Sequence, residues 1–273
     1  MIDYVIAIPT YARVKALTTK TLPTLKKLQA DFDKIHIFVA NEEEEIKYRE
    51  ALGSDYKIIV GVKGISRQRK FYHEYFPEGT KIVSFDDDVE DVLEKRGNKL
   101  VPTVYTLDQL AEEAFGYCEE YGARLWGLHH GTNGFYMKDE IWAGLRYCAA
   151  TIMGTYAHDW IFCDPERNMT NTGEDAHSSL RGFVHYGANI RFEYLAFKQD
   201  WFGEGGNAQC VREEDGVERN VRHREELLKV HARYSDLCKV IFHEDTGITA
   251  LRLKPITIAR IPRTQPLDWN ATK

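Results

Sequence analysis

The sequence has few cysteines, and their spacing is typical neither of a disulfide framework nor of a zinc site. The five cysteines are an odd number with no CxxC motif, which favours reduced thiols in a cytosol. No run of about 18 apolar residues occurs, and no basic region followed by a long apolar segment opens the chain. We therefore expect a soluble, cytoplasmic protein with no membrane partner.

An excess of positive charge is absent as well. The formal net charge is −6 over 273 residues, so any nucleic acid would need a local basic surface rather than bulk charge. GxGxxG and Walker-type motifs are missing, which excludes the standard dinucleotide and P-loop sites. The length suits one large α/β domain or two small ones.

Short apolar segments alternate with segments of helical periodicity in the first third of the chain. Strands are predicted at residues 4–8, 35–40, 57–60 and 80–85. Because helical segments separate these strands, the pattern predicts a mostly parallel, doubly wound sheet. Ligands of such sheets bind beyond the carboxyl ends of the strands.

Three consecutive carboxylates, Asp86, Asp87 and Asp88, end the fourth predicted strand. Adjacent anions repel one another, so they stay ionised together only beside positive charge or abundant water. A hard divalent cation that accompanies phosphates would provide that charge. The alternative is a polar turn after a core strand, since three aspartates are a short motif.

Arginines follow two of the neighbouring strands. Arg13 is predicted to lie in the loop after the first strand, and Arg67 and Arg69 in the loop after the third, so their charges are expected to converge on the acidic strand end. Arginine can bind a phosphate through two parallel hydrogen bonds, and Gly64 would let the backbone approach such a ligand. The alternative for any single arginine is solvated surface charge.

The second half of the chain contains further candidates. Glu174 and Asp175 start a predicted helix, where they are either a general base for a hydroxyl or an ordinary acidic first turn. His243 follows an apolar strand and could complete a metal site. The charged segment 211–233 is either a solvated helix face or a contact surface for a polyanionic acceptor.

Together these motifs resemble the GT-A-fold nucleotide-sugar glycosyltransferases over about residues 4–250. The resemblance rests on IPTYAR at 8–13, GISRQR at 64–69, the three aspartates and the Glu174-Asp175 pair. A narrower resemblance is to the TET/JBP-associated glycosyltransferases, a phage-rich group linked to DNA that carries 5-hydroxymethylpyrimidines. It rests on Asp86-Asp87-Asp88-Val89, Glu174-Asp175 with Ser179-Leu180, and Gly205-Gly206-Asn207.

The resemblance implies a fold and its division. The expected fold is a GT-A, Rossmann-like α/β domain with a mostly parallel central sheet and a C-terminal acceptor-side portion. This domain would span residues 1–256, with a nucleotide-sugar half at 1–95 and an acceptor half at 96–256. Residues 257–273 would form a C-terminal extension.

The resemblance also implies roles for individual residues. Asp86 and Asp88 would hold Mn²⁺ or Mg²⁺, with His243 as a third ligand. Asp175, with Glu174 beside it, would be the base that deprotonates the acceptor. No family-typical acidic residue is assigned to uracil recognition, so the base of the donor stays open, with Asn41 or Glu42 as the candidates for that place. The donor would be bound by Pro9, Thr10, Tyr11, Arg13, Gly64, Arg67, Arg69, Asp86 and Asp87.

The implied reaction transfers a glucose- or arabinose-class sugar from a UDP-sugar to the hydroxyl of 5-hydroxymethylcytosine in double-stranded phage DNA, in the cytoplasm of an infected cell. One alternative keeps the chemistry with a glycan or protein acceptor. A non-catalytic binding module is a weaker alternative, because the acidic and arginine motifs are retained. A nucleotidyltransferase would usually have a glycine-rich, lysine-bearing loop in place of residues 9–13.

Overall fold

A computed structural model describes residues 2–163, 172–199, 206, 209–210, 219–243 and 247–263. The strands are β1 Val5–Pro9, β2 Ile35–Val39, β3 Lys57–Val60, β4 Lys81–Phe85, β5 Val89–Arg96, β6 Lys99–Pro102, β7 Trp126–His129, β8 Glu140–Leu145, β9 Ile152–Tyr156, β10 Asn189–Gln199, β11 Cys238–His243, β12 Ile248–Leu253 and β13 Ile256–Pro262. The helices are α1 Val14–Ala16, α2 Leu22–Lys27, α3 Glu42–Leu52, α4 Ile65–Tyr75, α5 Leu107–Tyr121, α6 Trp160–Cys163, α7 Glu174–Tyr186 and α8 Arg219–Arg233. A π-helical turn at Leu17–Thr21 joins α1 to α2, and a 3-10 turn at Phe32–Lys34 precedes β2.

The first four strands pair in parallel, in the order β3-β2-β1-β4. Alternate residues of β1 enter different cores: Ile6 and Ile8 pack with Leu25 of α2, whereas Ala7 packs with Tyr72 of α4. A parallel strand that is covered on both faces has an uninterrupted apolar sequence, which is why these strands could be predicted. Their carboxyl ends meet at one edge of the sheet.

The rest of the central sheet has mixed pairing. β9 pairs antiparallel with β4 and β7, β7 pairs parallel with β10, and β5 and β8 pair antiparallel with β10. The hairpin of β5 and β6 follows the acidic strand end directly and was not predicted from the sequence. The expected α/β fold with a large central sheet is confirmed.

The C-terminal part of the described chain returns to the central sheet. β13 pairs antiparallel with β8, so residues 257–262 of the predicted extension are part of the sheet, while residues 264–273 lie outside the described residues. β11 and β12 form a separate antiparallel hairpin, and α8 packs against it.

The structure also bears on two expectations about the chain as a whole. No helix in the described ranges is long and apolar enough to cross a membrane. The five cysteines are all free, and four of them are buried.

Candidate functional site

A cavity of about 870 Å³ opens at the carboxyl edge of the parallel strands. Its walls include the ends of β1 and β4 and the amino-terminal ends of α4 and α7, with β8, β10 and the β11–β12 hairpin beyond them. The predicted site residues that line it are Pro9, Thr10, Tyr11, Arg13, Gly64, Arg69, Asp86, Asp87, Asp88, Glu174, Asp175 and His243. Residues from both halves of the chain therefore share one cavity.

Arg67 is the exception among the predicted residues. It is exposed and does not line the cavity, whereas Arg69 is buried within its wall. Both lie on α4, which begins at Ile65, and residues two apart on a helix project from different faces. The sequence analysis placed both arginines in a loop, where this distinction does not arise.

The middle aspartate, Asp87, is held by the loop that follows β1. Its Oδ2 accepts a 2.7 Å hydrogen bond from the Thr10 hydroxyl, and its Oδ1 accepts a 3.1 Å bond from Arg13 Nη1. Burial raises the pKa of Asp87 to about 7, although Arg13 opposes the shift. Because both carboxylate oxygens have protein partners, Asp87 fastens the end of β4 to this loop.

Asp86 is paired with a buried arginine. Arg69 Nη2 lies 2.9 Å from Asp86 Oδ1, and Arg69 Nε lies 3.7 Å from Glu174 Oε1. The Arg69 side chain is 1% exposed, whereas that of Asp86 is 24% exposed. Burial raises the pKa of Asp86 to about 6, with Arg69 opposing the shift. Arg69 thus connects Asp86, which follows β4, with Glu174 at the start of α7.

Asp88 has one oxygen with a partner and one without. Oδ2 accepts a 2.7 Å hydrogen bond from Arg13 Nη1, while Oδ1 is buried and has no hydrogen-bond partner among the described residues. A buried carboxylate oxygen in that state is costly, and a hard cation would satisfy it. Asp88 and the partly exposed Asp86 therefore fit a Mn²⁺ or Mg²⁺ ion.

The described residues do not supply a complete metal site by themselves. Within those ranges no group of three or more His, Cys, Asp or Glu side chains could hold a metal ion. His243 lines the cavity from the end of β11 but does not form such a group with Asp86 and Asp88. Magnesium is often bound by one or two carboxylates, waters and substrate phosphates, so the third-ligand role of His243 stays a prediction.

The loop after β1 is fixed by two residues of α3 that the sequence analysis missed. Glu44 is buried and its Oε2 accepts a 2.7 Å hydrogen bond from the Ala12 backbone N–H, where the backbone has a φ of +53°. The Tyr48 hydroxyl accepts a 3.1 Å bond from the Arg13 backbone N–H and donates to Thr10 Oγ1 at 2.5 Å. These bonds hold the loop against the aspartates.

The two candidates for uracil recognition lie elsewhere. Asn41 and Glu42 are exposed and do not line the cavity. The Asn41 side chain caps α3 by accepting a 3.0 Å hydrogen bond from the Glu44 backbone N–H. Because the side-chain carbonyl oxygen of Asn41 is used to cap α3, helix capping accounts for an asparagine at this position.

Gly206 approaches the same loop from the second half of the chain. Its backbone N–H donates to the Tyr11 carbonyl at 3.0 Å, its φ is +60°, and a Cβ would lie 2.7 Å from Arg13 Nε. Glycine is therefore required by both conformation and space. Gly205 and Asn207 of the same motif lie outside the described residues.

The candidate base is positioned by a tyrosine. Asp175 Oδ2 accepts a 3.0 Å hydrogen bond from the Tyr147 hydroxyl and a 3.5 Å bond from the Ala150 backbone N–H. Burial raises the pKa of Tyr147, which remains a hydrogen-bond donor. Beside it, the buried Glu174 has its pKa raised to about 7 by burial and by the charge of Asp175.

The wall beyond Asp175 contains functional candidates that the sequence analysis did not identify. Trp142, Arg146 and Arg191 line the cavity from β8, from the residue after it and from β10. Arg191 Nε lies 2.6 Å from Glu193 Oε1, and its Nη1 donates to the Tyr147 carbonyl at 3.2 Å. The only sequence signal for these residues is the alternation of side chains along a strand. That alternation indicates which face of the sheet a side chain is on, but it does not indicate that a cavity borders this face.

The described part of the predicted charged segment also contributes to the cavity. Asn220, His223 and Leu227 of α8 line it, and Leu227 is buried. Residues 211–218 lie outside the described residues. A contact between this segment and a polyanion stays a prediction.

Comparison with known proteins identifies related folds. No family model matches the sequence, and no curated protein matches it. A mannosyltransferase from Pyrobaculum calidifontis in complex with GDP-Man and Mn²⁺ superposes with a TM-score of 0.53 at 12% identity, over 86% of this chain and 64% of the mannosyltransferase chain. Glucosyl-3-phosphoglycerate synthase from Mycobacterium tuberculosis, in complex with Mn²⁺, UDP and phosphoglyceric acid, superposes with a TM-score of 0.50 at 10% identity, over 96% and 90% of the two chains.

These similarities concern the fold, which is that of the GT-A glycosyltransferases. The chain spans about two thirds of the length of the mannosyltransferase chain. A structural similarity at such low sequence identity establishes neither the activity nor the substrate of this protein, because one fold can carry many functions.

Proposed function

We propose that this protein is a metal-dependent GT-A glycosyltransferase that uses a nucleotide sugar as donor. The observation that carries the proposal is the meeting of Asp86 and Asp88 with Asp175 in one cavity. The fold supports it, since the mannosyltransferase and the synthase were solved with Mn²⁺ and with GDP-Man or UDP.

The donor side of the cavity would hold the diphosphate. Asp86 and Asp88 would bind Mn²⁺ or Mg²⁺, which supplies positive charge for the departing diphosphate when it is bound. Arg13 and Arg69 add fixed positive charge at the same place. The backbone N–H groups that begin α4 at Gly64 favour an anion, while Pro9, Thr10 and Tyr11 would line the nucleoside.

The acceptor side supplies a base. Tyr147 and the Ala150 N–H hold Asp175 through Oδ2, which leaves Oδ1 as the oxygen to take the proton of an acceptor hydroxyl. The hydroxyl oxygen then bonds to the anomeric carbon as the bond from that carbon to the diphosphate oxygen breaks. The electron pair of the broken bond leaves with the nucleoside diphosphate.

For the substrates, we propose a UDP-sugar of the glucose or arabinose class and 5-hydroxymethylcytosine in double-stranded DNA, in the cytoplasm of a phage-infected cell. The narrower motif resemblance supports this acceptor, and part of the motifs that carry it lines the cavity, namely Asp86, Asp87, Asp88, Glu174, Asp175 and Gly206. A glycan or protein acceptor is the alternative, because the same chemistry acts on any positioned hydroxyl.

The test combines the protein with Mn²⁺, hydroxymethylated duplex DNA and a panel of UDP-sugars, followed by digestion and mass spectrometry of the nucleosides. The expected result is a nucleoside heavier by one sugar residue. Hydrolysis of a UDP-sugar without any heavier nucleoside would exclude the DNA acceptor but would still support the proposal of a glycosyltransferase. Absence of both UDP binding and hydrolysis would exclude the enzyme class as proposed.

An Asp175→Asn variant tests the proposed base separately. Removing the proton acceptor should abolish transfer while UDP binding, measured by calorimetry, stays within about twofold of the wild type. Parallel loss of transfer and UDP binding would instead indicate that Asp175 supports the structure of the site.

A further inference from the structure

Arg146 is a buried cation in the cavity wall that forms no ion pair with a carboxylate of the described residues. It is 3% exposed and lines the cavity. Its Nη1 donates to the carbonyls of Leu145 at 2.8 Å and Ile256 at 3.2 Å, and its Nη2 donates to Thr257 Oγ1. Its Nε is buried and has no hydrogen-bond partner in the described ranges. These neutral acceptors satisfy some of its N–H groups, and no ion pair with a described carboxylate balances its charge.

Other largely covered arginines of the cavity differ in this respect. Arg13 pairs with Asp87 and Asp88, and Arg69 pairs with Asp86. Arg191 likewise pairs with Glu193. No carboxylate within the described part of the chain forms an ion pair with Arg146. A buried charge without a counter-ion is costly, and burial lowers the pKa of Arg146 to about 10.

A second guanidinium lies close to the same indole ring as the first. The Arg146 guanidinium carbon is 4.3 Å from the centre of the Trp142 ring, and that of Arg260 is 5.0 Å from it. Glu140 accepts a 2.5 Å hydrogen bond from Trp142 Nε1 and forms no ion pair with either arginine. Arg260 is exposed on β13. Two positive groups thus lie within 5.0 Å of the centre of one aromatic ring, and neither forms an ion pair with a carboxylate among the described residues.

This positive group lies on the acceptor side. Arg146 directly precedes Tyr147, whose hydroxyl holds the candidate base Asp175. Trp142 and Arg146 line the same cavity as Asp175. Arginine matches phosphate oxygens with paired N–H donors and packs on aromatic faces.

We infer that Arg146, which lines the cavity, and Arg260, which lies over the same Trp142 ring without lining the cavity, bind a phosphate group carried by the acceptor. The inference rests on the proposed function and narrows it to phosphate-bearing acceptors. A phosphodiester of a polynucleotide and the phosphomonoester of a small molecule share this chemistry. Neutral acceptors, such as unphosphorylated glycans, would leave the two guanidinium groups uncompensated.

The first experiment measures inorganic phosphate binding to the full chain by calorimetry, with Mg²⁺ and saturating UDP present to occupy the donor side. The variants are Arg146→Met and Arg260→Gln, and circular dichroism checks that each is folded. Arg146 bonds to Ile256 and Thr257 of β13, so its loss can disturb that strand. Arg260 is exposed and can be replaced without removing a buried contact, so Arg260→Gln provides an independent test. We expect each variant to weaken phosphate binding by about tenfold, because a hydrogen bond to a charged group contributes about 1.5–3 kcal/mol.

The matched control is Arg124→Gln. Like Arg260, Arg124 is exposed and lies over an aromatic ring, 4.5 Å from the centre of Tyr156, but that ring does not line the cavity, whereas Trp142 does. This variant should bind phosphate like the wild type. Unchanged phosphate binding in Arg260→Gln and in folded Arg146→Met would overturn the inference, as would an equal loss in Arg124→Gln.

The second experiment distinguishes the source of the phosphate. The ligands are 5-hydroxymethyl-2′-deoxycytidine, its 5′-monophosphate and a duplex oligonucleotide that contains the same base. Tighter binding of the monophosphate than of the nucleoside supports a small phosphorylated acceptor, and tighter binding of the duplex alone supports the polynucleotide backbone. Equal binding of all three would overturn the inference. UDP binding is measured separately, so failure of the donor site is distinguishable from failure of the phosphate site.

Discussion

The Tyr147 hydroxyl lies 3.0 Å from Asp175 Oδ2, and this hydrogen bond sets the direction of the candidate base. The two residues are far apart in sequence and come together because α7 begins beside the segment that follows β8. Tyr147 is thereby a positioning residue, since it acts through Asp175.

A Tyr147→Phe substitution should lower kcat for sugar transfer by about tenfold, because a hydrogen bond to a charged group is lost while the ring is kept. The KM for the donor should change by less than about twofold. Steady-state kinetics with varied donor concentration would measure both values. Tyr105→Phe is the control, because it removes a hydroxyl that bonds to Tyr194 at 3.1 Å and does not line the cavity. A similar fall in both variants would indicate a general loss of structure.

Asp88→Asn should weaken Mn²⁺ binding at least about tenfold, since its buried Oδ1 is available to a cation and an amide oxygen is the poorer ligand. Electron paramagnetic resonance of free Mn²⁺ would measure the affinity. Asp91→Asn is the matched control, because Asp91 forms a 3.5 Å surface ion pair with Lys27. Full Mn²⁺ affinity in Asp88→Asn would show that the metal binds elsewhere.

Tyr48→Phe should destabilise the protein by about 1–3 kcal/mol, because the Arg13 backbone N–H and Thr10 Oγ1 both lose a buried partner. Urea unfolding would give the change in free energy. We also expect weaker UDP binding, since the loop at residues 10–13 lines the cavity. Unfolding free energy and UDP affinity that both match the wild type would mean that the loop holds its shape without Tyr48.

The buried carboxyl groups predict a pH dependence of stability. Folding raises the pKa of Glu174 from 4.5 to about 7, so the folded state binds the proton more tightly than the unfolded state does. The resulting stability is fully present below pH 4.5 and is lost as the pH rises through about 7.

Glu174→Gln should therefore reduce the fall in unfolding free energy between pH 5 and pH 8, by about 1–3 kcal/mol. Urea unfolding at both pH values, with a chelator present, would measure the difference. Comparison with the wild type isolates Glu174 from the other titrating groups. An identical pH dependence in the two proteins would place the Glu174 pKa near its ordinary value.

Local patterns were sufficient to predict much of the fold and the position of the cavity. The strand-helix alternation and the apolar strand that ends in Asp86-Asp87-Asp88 predicted the parallel strands and the edge at which the cavity opens. The same rule brought Arg13 and Arg69 to that edge. These predictions succeeded because parallel strands share the direction of their carboxyl ends.

The roles within those motifs required the tertiary structure. The sequence could not show that Asp87 bonds to the loop after β1 or that Asp88 keeps one oxygen without a protein partner among the described residues. These differences depend on Thr10 and Arg13, which lie more than seventy residues away in the chain. The sequence analysis also treated Arg67 and Arg69 alike. The two side chains project in different directions only because both residues belong to α4, which begins at Ile65.

The sequence by itself determined the chemical character of the site: carboxylates at a strand end, arginines near them and an acidic helix start. Only the tertiary structure decided the opposite wall, where Trp142 and Arg146 line the cavity and the pairing of β8 with β13 brings Arg260 to the same indole. The physical reason is that such contacts depend on strand pairing between distant segments. No local periodicity encodes which strand will become a neighbour.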